Sequence, residues 1–217
     1  MTSHAIALAS LKGGCGKSTL ALNLAAGLAR DGDVALVDGD PQGTLGHWAD
    51  WSAKQGLPEV MAGGGDPLEA LSRARREHRR VVVDCPPSLD MAITGRILER
   101  VEVVLIPILP SPLDLWAGAD TVAAVRRARE RNPKLRAWLL LNQMEPGSAL
   151  SRAMASALAH LELPVLGNGV RRRAAYRMAA VEGMSVYQLG ARGREAAREM
   201  DRRSEERRVG KECRSRW

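Results

Sequence analysis

Short apolar runs alternate with stretches of helical spacing along most of the chain. Residues 6–11, 34–37, 80–84, 101–106 and 136–141 are dominated by Ala, Val, Ile and Leu. Continuous runs of this length suit strands buried on both faces of a parallel sheet. Between them, 20–29, 44–55, 67–77, 113–131 and 151–161 carry apolar residues at helical intervals. A short strand is expected at 165–166 and a last helix over 191–202. Gly32 stops the first helix. Three glycines at 63–65 mark a loop, and Trp48 and Trp51, three apart, read as packing residues. Pro107, Pro110 and Pro112 exclude helix and sheet centre and predict a stiff extended loop. The alternation from residue 6 to 166 predicts an α/β fold: one doubly wound, mainly parallel sheet flanked by helices.

Composition narrows the class. A chain of 217 residues fits one domain, and an apolar fraction of 45% supports a packed core. Aromatic residues are only 3%, with no Phe, so aliphatic side chains must fill that core. No apolar run approaches the roughly 18 residues of a membrane span, and no leader pattern opens the chain. A cytoplasmic protein is expected. Cys15, Cys85 and Cys213 are odd in number and scattered, which excludes a disulfide framework and a C-x-x-C metal site. They also lack the placement of iron–sulfur cluster ligands.

The net charge of +7 favours polyanionic partners, nucleic acid ahead of membrane. The last fifteen residues, 203–217, have no apolar periodicity and read as a translated sequencing adapter. They carry six Lys and Arg against three Glu, which leaves +4 for the body. The expected organisation is one nucleotide-binding domain over 1–202 and a non-native tail over 203–217.

The first apolar run leads into Lys12-Gly13-Gly14-Cys15-Gly16-Lys17-Ser18-Thr19, and a helical stretch follows. Strand, glycine-rich turn and helix in that order form the context of a phosphate-binding loop. Glycines let successive N–H groups converge on phosphate oxygens, and the helix N-terminus adds its positive dipole end. Lys17 suits the β- and γ-phosphates, and the Ser18 hydroxyl suits Mg²⁺. Cys15 reads as a small filler. Lys12 is a second lysine where one phosphate needs one. Three other elements join the loop. Asp38-Gly39-Asp40-Pro41-Gln42 ends the second strand, where carboxylates lie at the ligand-binding edge of an α/β sheet. Asp84-Cys85-Pro86-Pro87 ends the 80–84 run, with Asp84 suited to hold Mg²⁺. Asn142 closes the 136–141 run with an amide that offers both donor and acceptor.

The spacing K-G-G-x-G-K-[ST] resembles the deviant Walker A motif of the ParA/MinD ATPases. Asp38 to Gln42, the D-x-P-P string at Asp84 and the P-x-x-P-S-P-x-D stretch from Pro107 to Asp114 resemble the same family. So does the pattern from Arg173 through Tyr176 to Leu189. The stretch before the loop is too short for a helix-turn-helix domain, as in the short ParA proteins. The resemblance implies a P-loop NTPase that binds ATP and Mg²⁺ and closes into a sandwich homodimer, with Lys12 crossing to the other subunit's phosphates. It gives Asp40 the role of positioning the attacking water, Asp38 a place in the Mg²⁺ shell, and Asn142 the contact to adenine. It makes the proline-rich stretch a nucleotide-responsive loop near the dimer contact.

The function expected from this resemblance is a DNA partition ATPase. Its ATP dimer would bind DNA without sequence preference, and a ParB-like or ribbon-helix-helix centromere-binding partner would stimulate hydrolysis. Arg171, Arg172, Arg173, Arg192, Arg194 and Arg198 are the candidate phosphate contacts, which would place the protein on the nucleoid. The alternatives are a ParA-like positioner of another cargo, such as carboxysomes or chemosensory clusters, a MinD-like membrane ATPase, and a nucleotide switch that does not hydrolyse. Residues 191–202 offer too small an apolar face for a membrane anchor, so a membrane partner is not expected.

Overall fold

The structure, a computed structural model, describes residues 3–40, 43–52, 58–62, 66–87, 91–145, 147–167 and 169–206. Pro41, Gln42, the glycines at 63–65, Ser88, the end of the 44–55 helix, the Trp51 side chain and residues 207–217 lie outside that description.

Six strands form one parallel sheet: β1 (His4–Leu8), β2 (Val34–Asp38), β3 (Glu59–Ala62), β4 (Arg80–Asp84), β5 (Val103–Ile108) and β6 (Arg136–Leu141). Their spatial order is β3-β2-β4-β1-β5-β6. The described helices are α1 (Lys17–Ala29), α2 (Thr44–Ser52), α3 (Pro67–Glu77), α4 (Met91–Leu98), α5 (Pro112–Arg131), α6 (Ala149–Leu158), α7 (Ala174–Val181) and α8 (Arg194–Glu206). From β1 the chain winds first to β2 and later returns to β5 on the other side. The order therefore reverses at β1, which makes its carboxyl end the ligand-binding crevice of an open α/β sheet.

Two apolar cores cover the sheet. Ala5, Ala7, Val81, Val83, Val104 and Ile106 face α3 to α6, while Ile6, Leu8, Val82 and Leu105 face α1, α7 and α8. Strict alternation along each strand produces this division. Both faces are buried, so the strands read as unbroken apolar runs rather than as alternating ones.

Four elements differ from the sequence expectation. β3 and α4 carry no clear apolar period; β3 is a four-residue edge strand paired only to β2. Pro107 lies inside β5, opposite Leu140 of β6. It is accommodated because β1 pairs β5 only as far as Leu105, and the Leu105 carbonyl accepts from Ala9 N–H at 3.1 Å. Two residues on, the side of β5 that lacks an N–H has no strand beside it. Pro112 then occupies the first turn of α5 behind the Ser111 cap, where its missing N–H costs nothing. Finally, α8 runs four residues past the expected boundary at 202.

Leu36 is fully buried in the middle of β2. Leu36→Ala is expected to destabilise the fold by about 2–5 kcal/mol, read as a lower urea midpoint followed by circular dichroism.

Candidate nucleotide-binding site

Residues 9–16 connect β1 to α1 at the point where the strand order reverses. Gly14 has φ 78° and Gly16 φ 90°, conformations that disfavour any other residue. A Cβ on Gly13 or Gly14 would meet nothing within 4 Å, so the loop faces open space. Gly16 caps α1 without a side-chain hydrogen bond, which leaves the first helical N–H groups available to an anion. Lys17 is only 8% exposed, and its Nζ donates to the Lys12 carbonyl at 3.4 Å. Cys15 is buried, with Sγ 3.5 Å from the same carbonyl, in keeping with a filler.

Lys12 points towards α5. Its Nζ lies 2.6 Å from Asp114 Oδ2, and Asp114 is 4% exposed. The Ser111 hydroxyl also donates to Asp114 Oδ2. Thr121 Oγ1 accepts from Leu11 N–H at 3.2 Å, a second tie between the loop and α5. Leu113 and Trp116, on either side of Asp114 in the chain, are large exposed hydrophobic residues at 63% and 67%.

Two carboxylates share one row of the sheet, Asp38 of β2 opposite Asp84 of β4, with Leu8 of β1 in the same register. They have opposite environments. Asp38 accepts three backbone N–H bonds, from Asp40 at 3.0 Å, Leu45 at 2.9 Å and Gly46 at 3.1 Å. It therefore caps α2 and fixes the turn that carries Asp40, a role the expected Mg²⁺ shell did not include. Gly39 allows this turn to lie against β4: its N–H donates to the Asp84 carbonyl at 2.9 Å, and a Cβ there would stand 2.6 Å from that oxygen.

Both carboxylate oxygens of Asp84 are buried without a hydrogen-bond partner among the described residues. Burial pushes its pKa up to about 7, opposed by the nearby Ser18 hydroxyl and the charge of Lys17. Ser18 lies close without completing a hydrogen bond. A buried carboxylate with unused lone pairs, beside a serine hydroxyl and at the mouth of a phosphate loop, fits a divalent cation with oxygen ligands. Burial also pushes the neighbouring Cys85 thiol far up, so it is a packing residue rather than a nucleophile. Among the described residues no group of three or more His, Cys, Asp or Glu is placed to hold a metal by itself. A cation here would thus need ligands from a phosphate chain or water as well.

Asn142 borders the site and ties the phosphate loop to the end of β6. Nδ2 donates to the Cys15 carbonyl at 2.7 Å, and Oδ1 accepts from Gln143 N–H at 2.9 Å. A Cβ on Gly16 would stand 2.5 Å from Nδ2, so the close approach depends on that glycine. Beside it lies a cavity of about 190 Å³ lined by Gly16, Thr19, Leu20, Gln143, Val170 and Tyr176, among others.

Arg171, Arg172 and Arg173 line this cavity too. Arg173 donates through Nε and Nη2 to Glu199 Oε1 at 3.1 and 2.8 Å, and this pairing raises its pKa. Arg172 pairs with Glu145 at 3.0 Å. Arg171 and Arg172 are over half exposed while Arg173 is 24% exposed, so the cluster lines the cavity and also reaches the surface. Arg192 and Arg198 are over half exposed and pair with Glu182 and Glu195, and Arg194 opens α8. Glu199 had no motif to announce it, and Gly39 stands at the variable position of its motif; their roles come from contacts distant in the chain.

Residues 6–186 match the family model described as the CobQ/CobB/MinD/ParA nucleotide binding domain. The chain belongs to this family of nucleotide-binding ATPase domains. It is 54% identical over 199 residues to maintenance of carboxysome distribution protein A of Halothiobacillus neapolitanus, covering 90% of this chain and 92% of that protein. It is 34% identical over 179 residues to the chromosome-partitioning ATPase Soj of Thermus thermophilus, covering 67% and 71%. Among solved structures it resembles cobyrinic acid a,c-diamide synthase of Mycobacterium smegmatis with bound ADP and magnesium. The TM-score there is 0.67 at 23% identity, over 83% of this chain and 93% of that one.

Asp84→Asn separates the metal role from folding. At pH 8 the variant without nucleotide is expected to melt higher than the parent, because it removes an unpaired buried charge. The folded-state pKa is raised from 3.8 to about 7, so the penalty is complete above pH 7 and falls away towards pH 4. The two melting temperatures should therefore converge at pH 4.5, while Mg²⁺ ceases to strengthen nucleotide binding by the variant.

Proposed function

We propose that this chain is a ParA-type positioning ATPase that distributes carboxysomes, cycling between an ATP-bound dimer on DNA and a released form. The observation that carries the cargo is the 54% identity over nine-tenths of the chain to a carboxysome distribution protein. This replaces DNA partition as the leading reading. Partition keeps support from the more distant Soj relative.

The residues needed for ATP hydrolysis converge at the carboxyl edge of the sheet. The backbone of Gly13, Gly14, Cys15 and Gly16, with Lys17 and Thr19, would hold the phosphates. Ser18 and Asp84 would hold Mg²⁺, which neutralises phosphate charge. Asp40, on the turn fixed by Asp38, would orient the attacking water. Phosphoryl transfer depends on such positioning and charge stabilisation, so unstimulated turnover is expected to be slow. Lys12 would leave Asp114 to reach a second copy's phosphates. Exposed Leu113 and Trp116 beside it are apolar surface suited to being covered in that dimer. Arg192, Arg194 and Arg198 remain the proposed phosphate contacts to DNA in the cytoplasm, and a protein on the cargo would stimulate hydrolysis. No helix among the described residues is long and apolar enough to cross a membrane.

The test is complementation in a carboxysome-forming host that lacks its own distribution ATPase. Evenly spaced carboxysomes are the expected result. Clustered carboxysomes, together with stabilisation of a test plasmid by the chain and its neighbouring gene, would return the reading to partition. In vitro, Lys17→Ala is expected to abolish ATP binding. Lys12→Ala is expected to leave ATP binding largely intact but to remove ATP-dependent dimers in light scattering and to reduce hydrolysis at least tenfold, and Asp40→Ala to reduce hydrolysis while sparing the dimer.

A further inference from the structure

We propose that a second cavity, between α6, α8 and the outer edge of β6, is a docking groove for a partner protein's segment in which an apolar side chain is flanked by carboxylates. The proposal goes beyond the nucleotide and cargo readings and depends on neither.

The groove arises from the way the chain covers the last strand of the sheet. The stretch 164–172 runs parallel along β6. Leu166 N–H donates to the Leu139 carbonyl at 2.7 Å, and Val170 N–H donates to the Leu141 carbonyl at 2.8 Å. A regular ladder advances equally on both sides, whereas here an advance of two residues on β6 matches four on the stretch. Gly169, at φ 68°, allows the close return: a Cβ there would stand 2.6 Å from the Leu141 carbonyl oxygen. Beside this extra length lies a cavity of about 500 Å³. Leu141 and the half-buried Met144 and Val165 give it an apolar lining, and Ala155, on the exposed face of α6, borders it. Its charged lining is four arginines, Arg171, Arg173, Arg198 and Arg202, against Glu195 and Glu199.

The arginines differ in how firmly they are held. Arg173 grips Glu199 through two donors, and Glu199 is a buried side chain, so this pair belongs to the wall. Arg171 lies 3.9 Å from the same carboxylate, beyond hydrogen-bond reach. Arg198 meets Glu195 in an exposed pair three residues apart, a kind of contact that contributes little. Both guanidinium groups have further N–H donors to offer an incoming carboxylate.

This lining discriminates among anions. Duplex DNA presents a continuous row of phosphates and no apolar side chain, so it would set charge against Glu195 and leave Met144 and Val165 wet. A small free anion makes no use of the apolar lining either. A peptide that inserts one apolar side chain and turns its carboxylates to Arg171 and Arg198 satisfies both parts. An apolar anchor in a pocket, with complementary charge at the rim, is a common way for a short segment to combine affinity with specificity.

The experiment follows the fluorescence anisotropy of a labelled synthetic peptide, one leucine with three glutamates on each side, as the full chain is added. Saturable binding is expected, and replacing the leucine by serine should weaken it roughly tenfold. Ala155→Trp fills the groove from an exposed position without changing the charge. It is expected to weaken the peptide roughly tenfold while a short duplex DNA binds as it does to the parent. Arg171→Gln should weaken the peptide roughly fivefold. The serine peptide tests the cavity on the parent chain, so the outcome does not depend on a variant folding. No binding by the parent, or equal binding of the leucine and serine peptides, would overturn the proposal. So would a folded Ala155→Trp variant that keeps full affinity for the peptide. Equal losses of DNA and peptide in that variant would assign the groove to nucleic acid and overturn it as well.

Discussion

The site depends on two carboxylates in one row of a buried sheet. Asp38 and Asp84 sit side by side at the ends of β2 and β4, where a parallel sheet brings strand ends to a common edge. Two uncompensated charges there would repel each other in a medium of low dielectric constant. The structure resolves this by giving them different partners. Asp38 is saturated by backbone N–H groups, while Asp84 is left without hydrogen-bond partners beside Lys17 and Ser18. The first becomes part of the scaffold and the second keeps its lone pairs for a ligand. The close contact through Gly39 ties the two together, so the turn bearing Asp40 is registered directly on β4.

Much of this was legible in the sequence because local pattern and global fold agree. The phosphate loop follows from glycine spacing between a buried strand and a helix, and the fold class follows from unbroken apolar runs such as Val81, Val82 and Val83. What was not legible had causes outside the local pattern. β3, four residues long, is too short to show a period. Pro107 looked like a strand breaker because the sequence does not say where its neighbour β1 ends. Asn142 was found, but its partner Cys15 lies 127 residues away, and no spacing rule reports that its amide ties the phosphate loop to β6. Arg171, Arg172 and Arg173 showed only as a cationic cluster, because Glu145 and Glu199, which pair with them, are far from them in the chain. The cargo was not legible from site chemistry at all, since relatives with different cargoes need the same loop.

One half of the molecule links the site to the opposite end of α1. Tyr187 O–H donates to Asp201 of α8 at 3.0 Å, and Arg30, just after α1, reaches the same carboxylate at 3.1 Å and packs over the Tyr187 ring. Two residues earlier on α8, Glu199 holds Arg173 beside the cavity. The helix that carries exposed arginines therefore touches both the far end of the phosphate-loop helix and the wall of the cavity beside Asn142.

The Lys12–Asp114 contact also has a stoichiometric consequence. Asp114 is almost wholly enclosed, so its charge tolerates the loss of one cation only if another replaces it. In the proposed dimer each Lys12 would move to the facing copy's phosphates and leave its own Asp114 with the Ser111 hydroxyl. Each departure would have to be matched by phosphate charge across the seam, so one nucleotide per copy is the ratio at which the two halves would close.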